Sequence, residues 1–253
     1  MKILEGIDDL VIEWLAIERK GKPPHYQHVT TAIELSRRKE PLTGTAEFLE
    51  ACYAKIHSNW RTACETGQWK RSRENWRWEA RPDIPEENKR PEVTLERTIV
   101  RNNIESWSNQ MPTASGLAGS YAGKTANVDL VRRDGPDAYS FIELKVERDT
   151  PLFAAIEILK YGLLFVWSKN NYEKLGYDLD EQPVLAADIV TLRVLAPASY
   201  YARYNVTNLA VALQDGLIHF KQRRKLTLGF EFDQLGERHD DVGAIKTLAI
   251  KNN

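Results

Sequence analysis

Cysteine is scarce in this chain of 253 residues, which contains only Cys52 and Cys64. Two cysteines are too few for the disulfide framework of a small secreted protein. Long apolar runs are also missing, because the longest candidate, Leu159 to Trp167, is shorter than the roughly 18–20 residues of a membrane span and contains Lys160. The N-terminal residues enter an acidic amphipathic pattern directly, unlike a secretory signal. We therefore expect a protein of the reducing cytoplasm with no membrane association.

An excess of charge of one sign is absent as well. The 35 basic and 36 acidic residues give a formal net charge of -1. This balance argues against a protein that coats nucleic acid non-specifically, because such proteins are usually strongly basic. It is compatible with an enzyme that binds one phosphodiester locally, since acidic metal ligands in a cleft offset a basic rim. The length and the hydrophobic content of 42% allow a sizeable core in one large or two modest domains.

Apolar residues at three- and four-residue spacings predict that the first part of the chain is helical. The pattern indicates helices over Ile3 to Ile17, over Val29 to Arg38, and from Thr45, the expected N-cap, into the region of Trp60. Residues 82–91 are polar and contain three prolines, which is typical of a boundary between domains. We therefore predict a helical N-terminal region at residues 1–90 and a second domain at residues 91–253.

Beyond this boundary the pattern alternates between helices and strands. The predicted order is helix Val93 to Trp107, strands Ala126 to Arg132 and Tyr139 to Val146, helix Leu152 to Trp167, strand Asp188 to Leu195, helix Val206 to Phe220 and strand Lys225 to Phe232. The glycine-rich stretch Gly116 to Gly123 is a candidate for a further short strand. This order predicts an α/β fold in which a mixed central β-sheet is flanked by helices.

Three chemically active side chains lie on two neighbouring predicted strands. Asp129 interrupts one apolar strand, and Glu143 and Lys145 lie two residues apart in the next, so both project from the same sheet face. The turn Asp134 to Asp137 joins the strands into a hairpin, which can set Asp129 beside Glu143. Burying such groups on apolar strands is costly unless they pair or bind a metal. Two carboxylates and a nearby backbone carbonyl favour Mg²⁺ or Mn²⁺ over zinc.

This arrangement resembles the PD-(D/E)xK nuclease superfamily, which shares the restriction-endonuclease-like fold: Asp129 is followed, after a turn, by Glu143, Leu144 and Lys145. The resemblance covers roughly Glu92 to Pro197 and implies a restriction-endonuclease-like core. It implies that Asp129 and Glu143 are ligands of Mg²⁺ or Mn²⁺, with the carbonyl of Leu144 as a third ligand. It implies that Lys145 is the catalytic lysine of a nuclease that hydrolyses phosphodiester bonds, with DNA as the expected substrate.

The flanking helices extend the resemblance. Glu96, on the helix before the motif, matches an acidic residue that family members often place there, and Glu92 is a weaker candidate for the same role. On the helix after the motif, Glu157 and Tyr161 are similar to the Gln-x-x-x-Tyr motif of the RecB-type branch, with Glu in place of Gln. Lys160 stands next to Tyr161 and is included as an accessory residue.

Plainer interpretations place the same charged side chains on the surface. They would be edge-strand residues with a weak salt bridge (Asp129, Glu143, Lys145) or surface pairs on helices (Glu96 with nearby arginines, Glu157 with Lys160).

The runner-up function is a non-catalytic nucleic-acid-binding or scaffold protein that keeps the nuclease fold. The Trp- and Arg-rich segment Trp69 to Arg81 and the basic cluster Lys221 to Lys225 are its candidate surfaces. Tryptophans are more often core residues, however, and charge runs are more often solvated loops. A homodimer is an open alternative to a monomer.

Overall fold

The architecture is given by a computed structural model that describes residues 2–17, 25–119, 126–221, 225–236 and 246–248. Its helices are α1 (Ile7–Trp14), α2 (Val29–Ser36), α3 (Thr45–Glu65), α4 (Pro91–Asn102), α5 (Pro151–Asn170), α6 (Tyr172–Leu175), α7 (Ala198–Tyr201) and α8 (Thr207–His219). Its strands are β1 (Trp107–Pro112), β2 (Asn127–Gly135), β3 (Ala138–Leu144), β4 (Ile189–Ala196), β5 (Thr227–Gln234) and β6 (Lys246–Thr247). The predicted α/β class and the helical N-terminal region are confirmed.

The strands form one mixed sheet with the order β1-β2-β3-β4-β5-β6. The strands β1, β2 and β3 are antiparallel neighbours, β3, β4 and β5 are parallel, and β6 is antiparallel to β5. Parallel neighbours require crossover connections, and α5 and α8 provide them. Because β3 has a partner on each side, its residues do not lie on an exposed edge.

Helix α5 is the central element of the larger core. It contacts β3 and β4 on one side and α3 on the other. Among the described residues it is the one helix long and apolar enough to cross a membrane, but 83% of its most apolar window is buried inside the protein. Burial on several sides accounts for its apolar composition. A smaller core lies on the opposite sheet face, where α4 covers Leu130 and Ile142.

The N-terminal helices share the larger core with the sheet. Helix α3 packs against α5 and α8, and its Leu49 belongs to the same buried cluster as Phe165 and Leu213. Trp76 is fully buried, and its ring lies 5.9 Å from that of Phe141 and 5.4 Å from that of Phe165. Trp76 is therefore a core residue. The boundary between residues 90 and 91 stays a prediction, but residues from both sides of it form one hydrophobic cluster.

Two local predictions were wrong, and a third, the strand in the glycine-rich stretch, is contradicted for residues 116–119. The helix predicted to reach Trp107 ends at Asn102, and Trp107–Pro112 forms β1 instead. Residues 116–119 form no strand, and the rest of the glycine-rich stretch lies outside the described residues, as do residues 222–224 of the basic cluster. Thr45 is not an N-cap, because Gly44 precedes the helix with a φ of 70° and Thr45 is already helical and buried. Glycine adopts that left-handed conformation without the penalty of a Cβ atom.

We predict that Gly162→Ala lowers the free energy of unfolding by about 1–3 kcal/mol, the usual cost of overpacking a core. A Cβ atom at Gly162 of α5 would lie 2.5 Å from Cδ1 of Leu192 on β4, which is itself fully buried. Urea denaturation measures the loss. Gly229→Ala is the matched control, since its nearest new contact would be 3.5 Å away. Equal losses in the two variants would contradict a close approach of α5 to β4 at Gly162.

Candidate active site

Asp129 and Glu143 face each other across the hairpin of β2 and β3. The antiparallel register pairs Leu130 with Ile142, which places Asp129 opposite Glu143 on the other face of the sheet from that pair. Phe141, two residues before Glu143, lies in the larger core beneath α5. The backbone N–H of Leu144 donates to Oδ2 of Asp129 at 3.1 Å. The two carboxylates therefore lie together on the α5 face of the sheet.

Lys145 follows β3 directly and turns its ammonium group towards these acids. Its backbone N–H donates to the carbonyl of Leu195 at 3.0 Å, which fixes the end of the strand. Its Nζ lies 2.7 Å from Oε1 of Glu143, 3.2 Å from Oε2 of Glu157 and 3.7 Å from Oδ2 of Asp149. The side chains of Lys145 and Glu143 are only 10% and 4% exposed. The interpretation of these residues as a surface salt bridge on an edge strand is therefore wrong.

Burial and neighbouring charges perturb the pKa values of the two carboxylates. Burial raises the pKa of Asp129 to about 7, although Lys145 and the N–H of Leu144 act to lower it. Burial, followed by the charges of Asp129 and Glu157, raises the pKa of Glu143 well above its usual range. Burial acts to lower the pKa of Lys145, but the charges of Glu143 and Glu157 outweigh it, so that this pKa is raised. One lysine thus faces an excess of negative charge, and such a site favours a further cation.

Glu96 on α4 reaches the same region from a different element. It is buried, and burial raises its pKa, while hydrogen bonds from two amides oppose that rise. Its Oε1 accepts from Nδ2 of Asn109 at 2.6 Å and its Oε2 accepts from Nε2 of Gln110 at 2.7 Å. The alternative of a surface pair on α4 is therefore wrong, although Arg97 does approach Glu96 at 3.4 Å.

Gln110 on β1 was not identified as a site residue from the sequence, yet it joins two acids. The same Nε2 that donates to Glu96 also donates to Oδ1 of Asp129 at 3.3 Å. Its backbone has a φ of 49°, and it has no partner in the register in which Asn109 and Met111 pair with β2. A residue other than glycine in the left-handed region carries backbone strain, and such strain is often found at functional sites. The one weak indication of this residue in the sequence is a run of polar residues between Trp107 and Met111.

Of the three accessory residues on α5, Glu157 and Tyr161 lie near Lys145, whereas Lys160 contacts the N-terminal region. Tyr161 donates to Oε1 of Glu157 at 3.5 Å, one helical turn away, and Glu157 also contacts Lys145. Lys160 instead pairs with Asp8, so the alternative pairing of Glu157 with Lys160 is wrong.

Glu92 has a structural contact rather than a carboxylate neighbour. Its Oε1 accepts from the N–H of Val146 at 3.1 Å and holds the segment after Lys145 against the start of α4. Glu96, not Glu92, is therefore the α4 acid linked by hydrogen bonds to Asp129 through Gln110.

The oxygen atoms at this site fit a hard divalent cation better than zinc. Within the described part of the chain, no three Asp, Glu, His or Cys side chains converge as a metal-binding group. An ion held by Asp129, Glu143 and the carbonyl of Leu144, the ligands that the resemblance implies, would need water to complete its shell, as Mg²⁺ often does. Comparisons of the chain with protein-family models, curated proteins and solved structures find no match. The buried acids and their partners are thus what supports a function.

We predict that Glu143→Gln stabilises the metal-free protein at about pH 8. The raised pKa of Glu143 means that its ionisation destabilises the folded state as the pH rises above the ordinary value of 4.5. Glutamine carries no charge and still accepts a hydrogen bond from Lys145. Thermal unfolding in a chelator should show a Tm gain of about 2–4 °C for each kcal/mol recovered.

The gain should shrink as the pH falls through 4.5, because below that value the wild-type carboxyl becomes protonated in the unfolded state as well. The exposed Glu147→Gln is the control for a simple change of net charge. A lower Tm for Glu143→Gln at alkaline pH would show that Glu143 serves mainly as the ion-pair partner of Lys145.

Proposed function

We propose that the protein is a Mg²⁺- or Mn²⁺-dependent nuclease that hydrolyses phosphodiester bonds, with DNA as the expected polymer. The observation that best supports this proposal is that Asp129 and Glu143 share one sheet face. Lys145, directly after β3, contacts Glu143 on that strand. The hydrogen bonds that link Glu96 to Asp129 through Gln110 also support the proposal. Membership of the PD-(D/E)xK superfamily, with its restriction-endonuclease-like core, is part of this proposal.

In this proposal Asp129, Glu143 and the carbonyl of Leu144 hold the ion. A bound ion would supply Lewis-acid chemistry there: it would polarise a phosphoryl oxygen and lower the pKa of a water molecule. Lys145 stays protonated, because Glu143 and Glu157 raise its pKa. It therefore acts as a cation that orients the attacking water and opposes the negative charge developing on the phosphoryl oxygens, and not as a general base.

One observation favours the runner-up, a non-catalytic nucleic-acid-binding or scaffold protein with the same fold. No ready-made group of three metal-binding side chains occurs among the described residues, and a catalytic ion would depend on a backbone carbonyl and water. Cleavage itself distinguishes the two functions. The cytoplasm is the proposed location, since both cysteines are free and Cys64 is exposed. A homodimer stays an open alternative.

We predict that the purified protein cleaves linear, circular or single-stranded DNA, or RNA, when Mg²⁺ or Mn²⁺ is present, and that a chelator stops the reaction. Lys145→Ala should slow cleavage by about a hundredfold or more, the usual loss when a charge-stabilising group is removed. Gel analysis of products measures the rate, and thermal unfolding shows whether the variant is folded. Lys174→Ala, on the exposed surface of α6, is the control. Equal rates for wild type and Lys145→Ala, or no cleavage of any polymer, would contradict a nuclease.

We predict that Gln110→Ala weakens Mn²⁺ binding by about 10- to 100-fold, the range seen when a residue that orients a ligand is removed. Without its amide, Oε2 of Glu96 and Oδ1 of Asp129 lose a shared donor. Isothermal titration calorimetry measures the affinity. Gln214→Ala is a matched control, because the Gln214 side chain accepts from the N–H of Phe230 at 2.7 Å, between α8 and β5. An affinity in Gln110→Ala that equals that of Gln214→Ala would contradict a role for Gln110 in positioning Asp129.

A further inference from the structure

A cleft opens beside Glu157, between α5 and the N-terminal segment of the chain. Its volume is about 480 Å³. Glu157 and Tyr161 line it from α5, and Ala126 lines it from the start of β2. Ile3 and Leu4 line it from the opposite side. The cleft therefore has a mixed lining, in which apolar and aromatic side chains alternate with charged ones that include Lys2, Glu5, Asp8 and Lys160.

The N-terminal wall of the cleft is a fixed part of the structure. Nδ2 of Asn59 on α3 donates to the carbonyls of Ile3 and Glu5, both at 2.9 Å. The hydroxyl of Tyr26 donates to Oδ1 of Asp8 at 2.7 Å, and Lys160 pairs with the same carboxylate. These bonds tie residues 3–8 to α3 and α5. The wall is thus held in place before any ligand arrives.

Two side chains belong to both the cleft and the proposed reaction centre. Glu157 lines the cleft and accepts from Nζ of Lys145 at 3.2 Å. Phe153 also lines the cleft, and its ring centre lies 5.8 Å from the same Nζ. A phosphate that meets Lys145 would therefore have its neighbouring sugar and base beside Phe153 and Tyr161. Aromatic side chains of this kind stack on exposed bases whatever their sequence.

The volume of the cleft fits one small ligand, such as a single unpaired nucleotide, better than a duplex. A volume of about 480 Å³ lies within the range of sites for one small ligand, about 300–1,000 Å³. A duplex is far larger, since its major groove alone is about 12 Å wide. We propose that the cleft holds one unpaired nucleotide of the strand being cleaved, and that residues 3–8 form the wall that excludes a duplex. This inference rests on the proposed nuclease function and names its substrate class.

The test compares one sequence as a single strand, as a duplex with an unpaired end and as a closed circular duplex, with Mn²⁺ present. The single strand and the unpaired end should be cleaved at least about tenfold faster than the closed circle, the factor expected from one stacked base. Binding is measured separately with a single strand containing 2-aminopurine, in Ca²⁺, where stacking in the cleft quenches its fluorescence. Equal cleavage of all three substrates would overturn the inference while leaving the nuclease function intact.

Two substitutions fill the cleft from opposite walls. Ala126→Trp and Leu4→Trp should each abolish the fluorescence change and slow single-strand cleavage about tenfold or more, while the Tm increase caused by Mn²⁺ stays unchanged. Two variants are used so that the test still stands if one of them misfolds. Thermal unfolding shows whether each variant is folded. Ala51→Trp is the control, because Ala51 lines a different groove, beside Trp14 on α1. If both cleft variants behave like Ala51→Trp, the inference fails. If wild type cleaves no polymer yet quenches 2-aminopurine in Ca²⁺, the nuclease function fails and the nucleotide site stands.

Discussion

The contact between Lys145 and Glu143 is the interaction on which the candidate site depends. Glu143 is buried opposite Asp129, and the charges of Asp129 and Glu157 raise the pKa of Glu143 further than burial alone. Lys145 opposes that repulsion from 2.7 Å and is itself held by Glu157 on α5. Removing the charge of Lys145 would leave the carboxylates around it unpaired, at a typical cost of about 3–5 kcal/mol, whereas neutralising Glu143 leaves Lys145 paired with Glu157. Well-packed hydrophobic residues in the same place would often give a more stable fold. The protein thus retains these charged groups at a cost in stability.

That cost makes sense for a site that gains a cation. Natural proteins retain strained or repulsive groups where binding or catalysis requires them. The left-handed backbone of Gln110 is a second such feature, since it directs an amide to both Glu96 and Asp129. A structural salt bridge between Lys145 and Glu143 would need neither the further carboxylate of Glu157 nor the strained backbone of Gln110. The two features together favour a functional centre over a core that happens to contain charges.

The sequence predicted the centre of the fold better than its first strand. The helix α5 and the hairpin of β2 and β3 carry strong apolar patterns, and strand alternation with a turn was enough to set Asp129 beside Glu143. Strand β1 has no such pattern, because its polar residues are buried by distant contacts. Ser108 donates to the carbonyl of Glu79 at 2.7 Å, and Asn109 accepts from the N–H of Arg81 at 2.8 Å. Local periodicity cannot reveal such bonds, so Gln110 was missed with the strand.

The relation between the N-terminal helices and the site was hidden for a similar reason. Lys160 finds its partner in Asp8, 152 residues earlier in the chain, and not in its helical neighbour Glu157. The polar, proline-containing stretch at residues 82–91 suggested that the first 90 residues are separate, yet α3 packs directly on α5. The N-terminal region thus borders the cleft lined by Glu157, which contacts Lys145. Only the three-dimensional arrangement shows this.

A crystal structure of the wild-type protein grown with Mn²⁺ tests the central claim most directly. Anomalous scattering from manganese should appear between the carboxylates of Asp129 and Glu143, within about 2.0–2.3 Å of their oxygens and of the Leu144 carbonyl. The same peak should be missing from crystals of Glu143→Gln. If saturating Mn²⁺ leaves no peak in the wild type, and Lys145 still bridges Glu143 and Glu157, the acids form a structural ion-pair cluster and the account of a metal-dependent enzyme is contradicted.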